Sequence, residues 1–147
     1  MENSSFTTSY LVDQAPEAVF AAVNDVRTWW SGDIEGRTDA LGAEFTYTYQ
    51  TFHKSKQTIT EFIPGKRVVW RISESHLGFV KDKQEWDGTE VTFDITRRGD
   101  KTELRFTHVG LVPAIECFGK CSRAWGFYID ESLRSLITTG KAVRNPG

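Results

Sequence analysis

From Glu44 onward the chain alternates apolar and polar residues at every second position, the mark of half-buried strands. Phe45, Tyr47 and Tyr49 fall on one face, and Glu44, Thr46, Thr48 and Gln50 on the other. A second strand is predicted over residues 58–63; it turns at Pro64-Gly65 and returns over 67–73 with Val68, Trp70 and Ile72 on one side. Val91, Phe93 and Ile95 share the next strand face. Gly99-Asp100 turns the chain, and Leu104, Phe106 and His108 share the last face. Upstream, residues 7–12 read as a first strand. Pro16 then opens a short helix whose apolar face is Val19, Phe20 and Val23. Residues 75–88 have no clean period and read as a loop whose Leu77, Phe79, Val80 and Trp86 cover something.

After Gly110 and Pro113 the period changes to 3.6. Phe118, Cys121, Trp125, Ile129, Leu133, Leu136 and Ile137 recur at three- and four-residue steps, which predicts a helix over 114–139. That helix must bury its stripe against the sheet. The result is a single α+β domain over residues 1–147: a curved antiparallel sheet of about six strands wrapped around a long C-terminal helix, with short helices after the first strand. This is a helix-grip arrangement. One helix about 10 Å wide cannot fill a wide curved sheet, so a cavity is expected between them. Gly126 costs about 1 kcal/mol against alanine inside a helix, and a close approach to the sheet or a ligand would offset it.

Composition narrows the function. At 147 residues the chain can bury roughly 68–70% of its unfolded surface. Its aromatic share of 13% is high, and that makes ring-lined walls the dominant interior feature. A formal charge of -2 with mixed signs gives no field for nucleic acid, and no run of apolar residues is long enough for membrane insertion. The N-terminus lacks a basic start and an apolar run, so a cytoplasmic protein is expected, with a homodimer left open. Cys117 and Cys121 lie one helical turn apart. They are expected to be thiols that bind no metal and form no disulfide, since His53, His76 and His108 are scattered and a one-turn bridge has poor geometry. No phosphate loop, dinucleotide fingerprint, nucleophile elbow or zinc-protease motif occurs, so no cofactor is expected.

Four segments carry a resemblance. VDQAPEAVFAAVND (residues 12–25) is similar to the opening strand and helix of the START-like (SRPBCC) superfamily. EWDGTEVTFDI (85–95), TELRFTHVGL (102–111) and WGFYIDESLRSLITTGK (125–141) resemble its stand-alone bacterial branch, related to the C-terminal domain of the heat-shock ATPase activator. The resemblance implies a deep apolar cavity under the final helix; across the superfamily such cavities hold lipids, polyketides or plant hormones, and some members are cyclases.

The candidate cavity-lining residues are Tyr47, Tyr49, Trp70, His108, Phe118, Trp125 and Tyr128, joined by strand parity and helical phase. Alternating aromatics on a strand are also what a plain core requires. His108 is read either as a structural histidine held by backbone near its strand end or as a ligand contact, its ordinary titration range also suiting proton transfer. The expected function is binding of a small, largely apolar molecule: lipid-, polyketide- or aromatic-like. The alternatives are a cyclase- or hydrolase-type enzyme using His108 and a tyrosine, or a protein-interaction, co-chaperone-like module. No catalytic residue and no metal ligand is assigned.

Overall fold

The computed structural model describes residues 6–30, 33–49, 53–77, 88–111 and 118–142. Seven strands form one antiparallel sheet: β1 (Phe6–Val12), β2 (Asp33–Gly36), β3 (Glu44–Tyr49), β4 (His53–Ile63), β5 (Arg67–Leu77), β6 (Glu90–Arg98) and β7 (Lys101–Val109). Their order across the sheet is β1-β7-β6-β5-β4-β3-β2, so the first strand closes against the last. Helices α1 (Pro16–Asn24) and α2 (Val26–Trp29) follow β1, as expected. Val19 and Val23 are buried, and Phe20 meets Phe62 edge-on at 5.0 Å.

The sheet agrees with the expected architecture and has one strand more than the six or so expected. The added strand, β2, has four residues and one large apolar side chain, Ile34, too short for any alternation to show. Strand β4 begins at His53, five residues before the predicted start, because its inward positions there are Ser55 and Gln57 rather than apolar residues. Strand β5 runs on to Leu77, so the start of the expected 75–88 loop is strand; residues 78–87 lie outside the described residues. Register shifts between Lys56 and Gln57 and between Ile59 and Glu61 mark irregularities in β4, a device that bends a strand and deepens the curve of a sheet.

The C-terminal helix runs unbroken from Phe118 to Thr139, with 112–117 outside the described residues. It has three parts: α3 (Phe118–Trp125), a π segment (Gly126–Leu133) and α4 (Arg134–Thr139). It ends at Gly140, whose φ of +83° and N–H bond to the Leu136 carbonyl close the last turn. The wider π turn brings neighbours inward in pairs, Tyr128 with Ile129 and Ser132 with Leu133, where a 3.6-residue stripe would bury one of each. Gly126 opens this segment. A Cβ built on it would meet nothing within 4 Å, so the expected close approach to the sheet is not made.

Side-chain bonds hold the π segment. The Ile129 carbonyl accepts from the Arg134 N–H five residues on and from the Tyr10 hydroxyl at 2.9 Å. Thr8 Oγ1 donates to Asp130 Oδ1 at 2.8 Å, and Ser132 Oγ donates to the Trp29 carbonyl at 2.8 Å. The helix is thereby tied to β1 and to the end of α2.

Burial of the Tyr10 hydroxyl, reinforced by the Asp130 carboxylate, holds its pKa well above the ordinary phenol value, with Arg134 pulling the other way. The folded state therefore keeps this proton above pH ~10, where the unfolded chain loses it. Stability contributed here is complete below that pH and falls above it at about 1.4 kcal/mol per pH unit. Urea unfolding between pH 9 and 11 should show Tyr10→Phe with a shallower alkaline loss than the parent. Equal slopes would count against this environment.

Candidate functional site

Strand parity turns one set of side chains toward the C-terminal helix. Phe45 and Tyr47 come from β3, Ser55, Gln57 and Ile59 from β4, Trp70 and Ile72 from β5, Val91 and Phe93 from β6, and Phe106 and His108 from β7; all are buried. Register puts Tyr47 opposite Ser55, Phe45 opposite Gln57, Trp70 opposite Val91 and Phe93 opposite Phe106. Most of these positions carry rings, so the inner face is an aromatic wall.

The facing wall comes from the helices. Trp125 on α3 lies 4.7 Å, centroid to centroid, from Phe106. Trp30, which follows α2, stands between the two walls. It stacks on Tyr47 at 3.6 Å and 12°, on Trp70 at 5.8 Å and 17°, and lies 5.2 Å from Trp125 at 34°. Trp29 joins this group, 6.1 Å from Trp30 at 15° and 6.2 Å from Trp70 at 8°, with its Nε1–H donating to the Val23 carbonyl at 3.1 Å. Offset stacking, as in the Trp30–Trp70 and Trp29–Trp70 pairs, adds about 0.5–1.5 kcal/mol per pair beyond area burial, while Trp30 and Tyr47 lie nearly face to face.

His108 is engaged at both ring nitrogens. Trp125 Nε1–H donates to Nδ1 at 3.0 Å, and Nε2 lies 2.9 Å from Thr89 Oγ1. An indole nitrogen only donates, so Nδ1 must be the acceptor and the proton sits on Nε2, from which it is donated to Thr89. Glycine at 110 makes the Thr89 approach possible: its φ is +104°, and a Cβ there would stand 2.7 Å from Thr89 Cγ2. These two partners of His108 are side chains. This arrangement positions Trp125 against β7.

Of the seven expected cavity-lining residues, Tyr47, Trp70, His108, Trp125 and Tyr128 are buried, and the first four share one chain of ring contacts with Trp30. Tyr128 meets Phe127 edge-on at 5.4 Å. The side chains of Tyr49 and Phe118 lie outside the described ones, as does Cys117; Cys121 is buried. Sequence reasoning missed Trp30, Ser55 and Gln57. Gln57, with its amide turned to suit its surroundings, donates to the Phe45 and Ser55 carbonyls at 3.2 Å and accepts from Ser55 Oγ at 2.5 Å, bracing β3 against β4.

Two properties set the chemistry. Among the described residues no Asp, Glu, Lys or Arg side chain is buried, so the interior is uncharged. No three His, Cys, Asp or Glu among the described residues are grouped as metal ligands would be. One polar atom in the aromatic group, Trp70 Nε1, is buried without a hydrogen-bond partner.

The family model for Activator of Hsp90 ATPase homolog 1-like proteins matches residues 13–138. Among curated proteins none matches the sequence. Among solved structures, the Aha1 dimer from Colwellia psychrerythraea is similar at 22% identity, with a TM-score of 0.75 over 95% of this chain and 99% of that one. Protein SSP2350 from Staphylococcus saprophyticus has a TM-score of 0.70 at 14% identity, covering 96% of each chain. DynU16, a protein of the dynemicin biosynthetic locus, has a TM-score of 0.68 at 16% identity over 97% of this chain and 51% of its own. These likenesses establish the helix-grip fold. Among the described residues no helix is long and apolar enough to cross a membrane.

Proposed function

The chain belongs to the Activator of Hsp90 ATPase homolog 1-like protein family, and from that premise we propose that it binds a small, flat, largely apolar molecule between its sheet and its C-terminal helix. The observation that carries this reading is the pair of aromatic walls, Tyr47 and Trp70 on one side and Trp125 on the other, with a single indole, Trp30, standing between them. A ligand stacked beside that indole would meet the rings of the flanking walls. Burying about 200 Å² of it contributes about 5 kcal/mol before ordering costs, so micromolar affinity needs more area or one good hydrogen bond. The DynU16 likeness agrees with this reading, since that protein belongs to the dynemicin biosynthetic locus.

Turnover through His108 has less support, because its basic nitrogen, Nδ1, is occupied by the indole N–H of Trp125. A co-chaperone-like role is favoured by the family description and by the Colwellia neighbour. It calls for an exposed apolar patch. The exposed Leu11 and Val109 lie on adjoining strands but six register positions apart, roughly 20 Å, and Leu41 and Ile63 are elsewhere in the chain.

Titration with the neutral fluorophore N-phenyl-1-naphthylamine tests the reading. Saturable 1:1 quenching of tryptophan emission with energy transfer to the probe is expected, and Trp125→Phe should lessen it. Absence of saturable binding would overturn the proposal.

A further inference from the structure

We propose that the indole Nε1–H of Trp70 is the donor that selects the ligand, so that the site takes uncharged planar molecules bearing a carbonyl or ether oxygen; this rests on the binding reading above. Trp70 is 1% exposed and its Nε1 has no hydrogen-bond partner. The indoles of Trp29 and Trp125 are already committed, to the Val23 carbonyl and to His108. A buried donor with no acceptor has given up its bond to water and gained nothing in return, and folded proteins rarely leave one so. Phe45 and Phe93 approach the Trp70 ring at steep angles, each at 5.0 Å, and an N–H···π contact from either would be weak compensation.

The chemistry of the missing partner follows from its surroundings. An indole nitrogen donates and never accepts, so the ligand must bring the acceptor. No cationic side chain is buried among the described residues, so a carboxylate or phosphate would enter uncompensated; a neutral oxygen is the acceptor that fits. The N–H points out of the ring edge in the plane of the indole, so the ligand's oxygen belongs at that edge and not over the ring face.

The experiment uses two probes of nearly equal shape, 2-acetylnaphthalene and 2-ethylnaphthalene, of which only the first carries an acceptor. Replacing Trp70 with 3-benzothienylalanine deletes the donor and keeps the shape. The acetyl probe should then bind about tenfold more weakly, with the ethyl probe unchanged. In the parent protein, which carries five Trp, the Trp70 indole N–H resonance should move downfield with the acetyl probe and stay in place with the ethyl probe; this measurement needs no variant. Both probes binding with no difference between parent and substituted protein would overturn the role of Trp70 and leave the binding reading standing. Binding of neither probe to the parent would overturn both.

Discussion

Trp30→Ala is expected to cost about 3–5 kcal/mol of stability, the range for deleting a large aromatic side chain from a packed core. The residue is 2% exposed and touches Trp29, Tyr47, Trp70 and Trp125, so its removal strips ring contacts from four neighbours at once. None of those four can follow it into the gap without leaving its own strand or helix. For a domain of this size the loss corresponds to a fall in Tm of roughly 6–20 °C. Urea unfolding gives the free energy directly. A cost under about 1 kcal/mol would mean that the rings close up over the space, and that Trp30 does not hold the two walls apart.

The second large effect is expected at the hydrogen-bonded histidine. His108→Phe keeps a flat ring on β7 but faces the Trp125 N–H with carbon and removes the donor to Thr89. Leaving a buried donor unmet costs about 1–3 kcal/mol. His108→Asn should cost less, because its Oδ1 can accept from Trp125 where Nδ1 does. A double-mutant cycle with Trp125→Phe isolates the bond: the two changes together should cost less than their sum. Strict additivity would show that the indole and the imidazole do not interact.

Much of the fold was legible because its period was regular. The inward faces of β3, β6 and β7 follow from alternate apolar residues, and His108 was placed inside by counting from Leu104 and Phe106. The rest was hidden for identifiable reasons. Ser55 and Gln57 face inward but are polar, so the strand they begin gives no apolar alternation. Trp30 follows a four-residue helix, where no period can form, and its importance comes from residues 17 to 95 positions away in the chain that stack on it. The Trp29-Trp30 pair was the available clue, since two large rings at a helix end must be buried somewhere. The π segment left no mark at all: its sequence reads as an ordinary amphipathic stripe, and the bonds from Tyr10 and Ser132 that accompany its widening depend on tertiary contact.

The pairing of β1 with β7 has a kinetic consequence. Phe6 finds its register partner at His108 and Val12 at Thr102, so β1, once synthesised, must wait for some ninety further residues before it can pair with β7. The helix that it anchors through Thr8 and Tyr10 emerges later still. Contacts so distant in sequence demand loop closure before they return any free energy, which places folding in the slower, millisecond-to-second range of small domains. The chain therefore completes its sheet only after synthesis has passed β7, and until then β1 is an unpaired strand in need of protection.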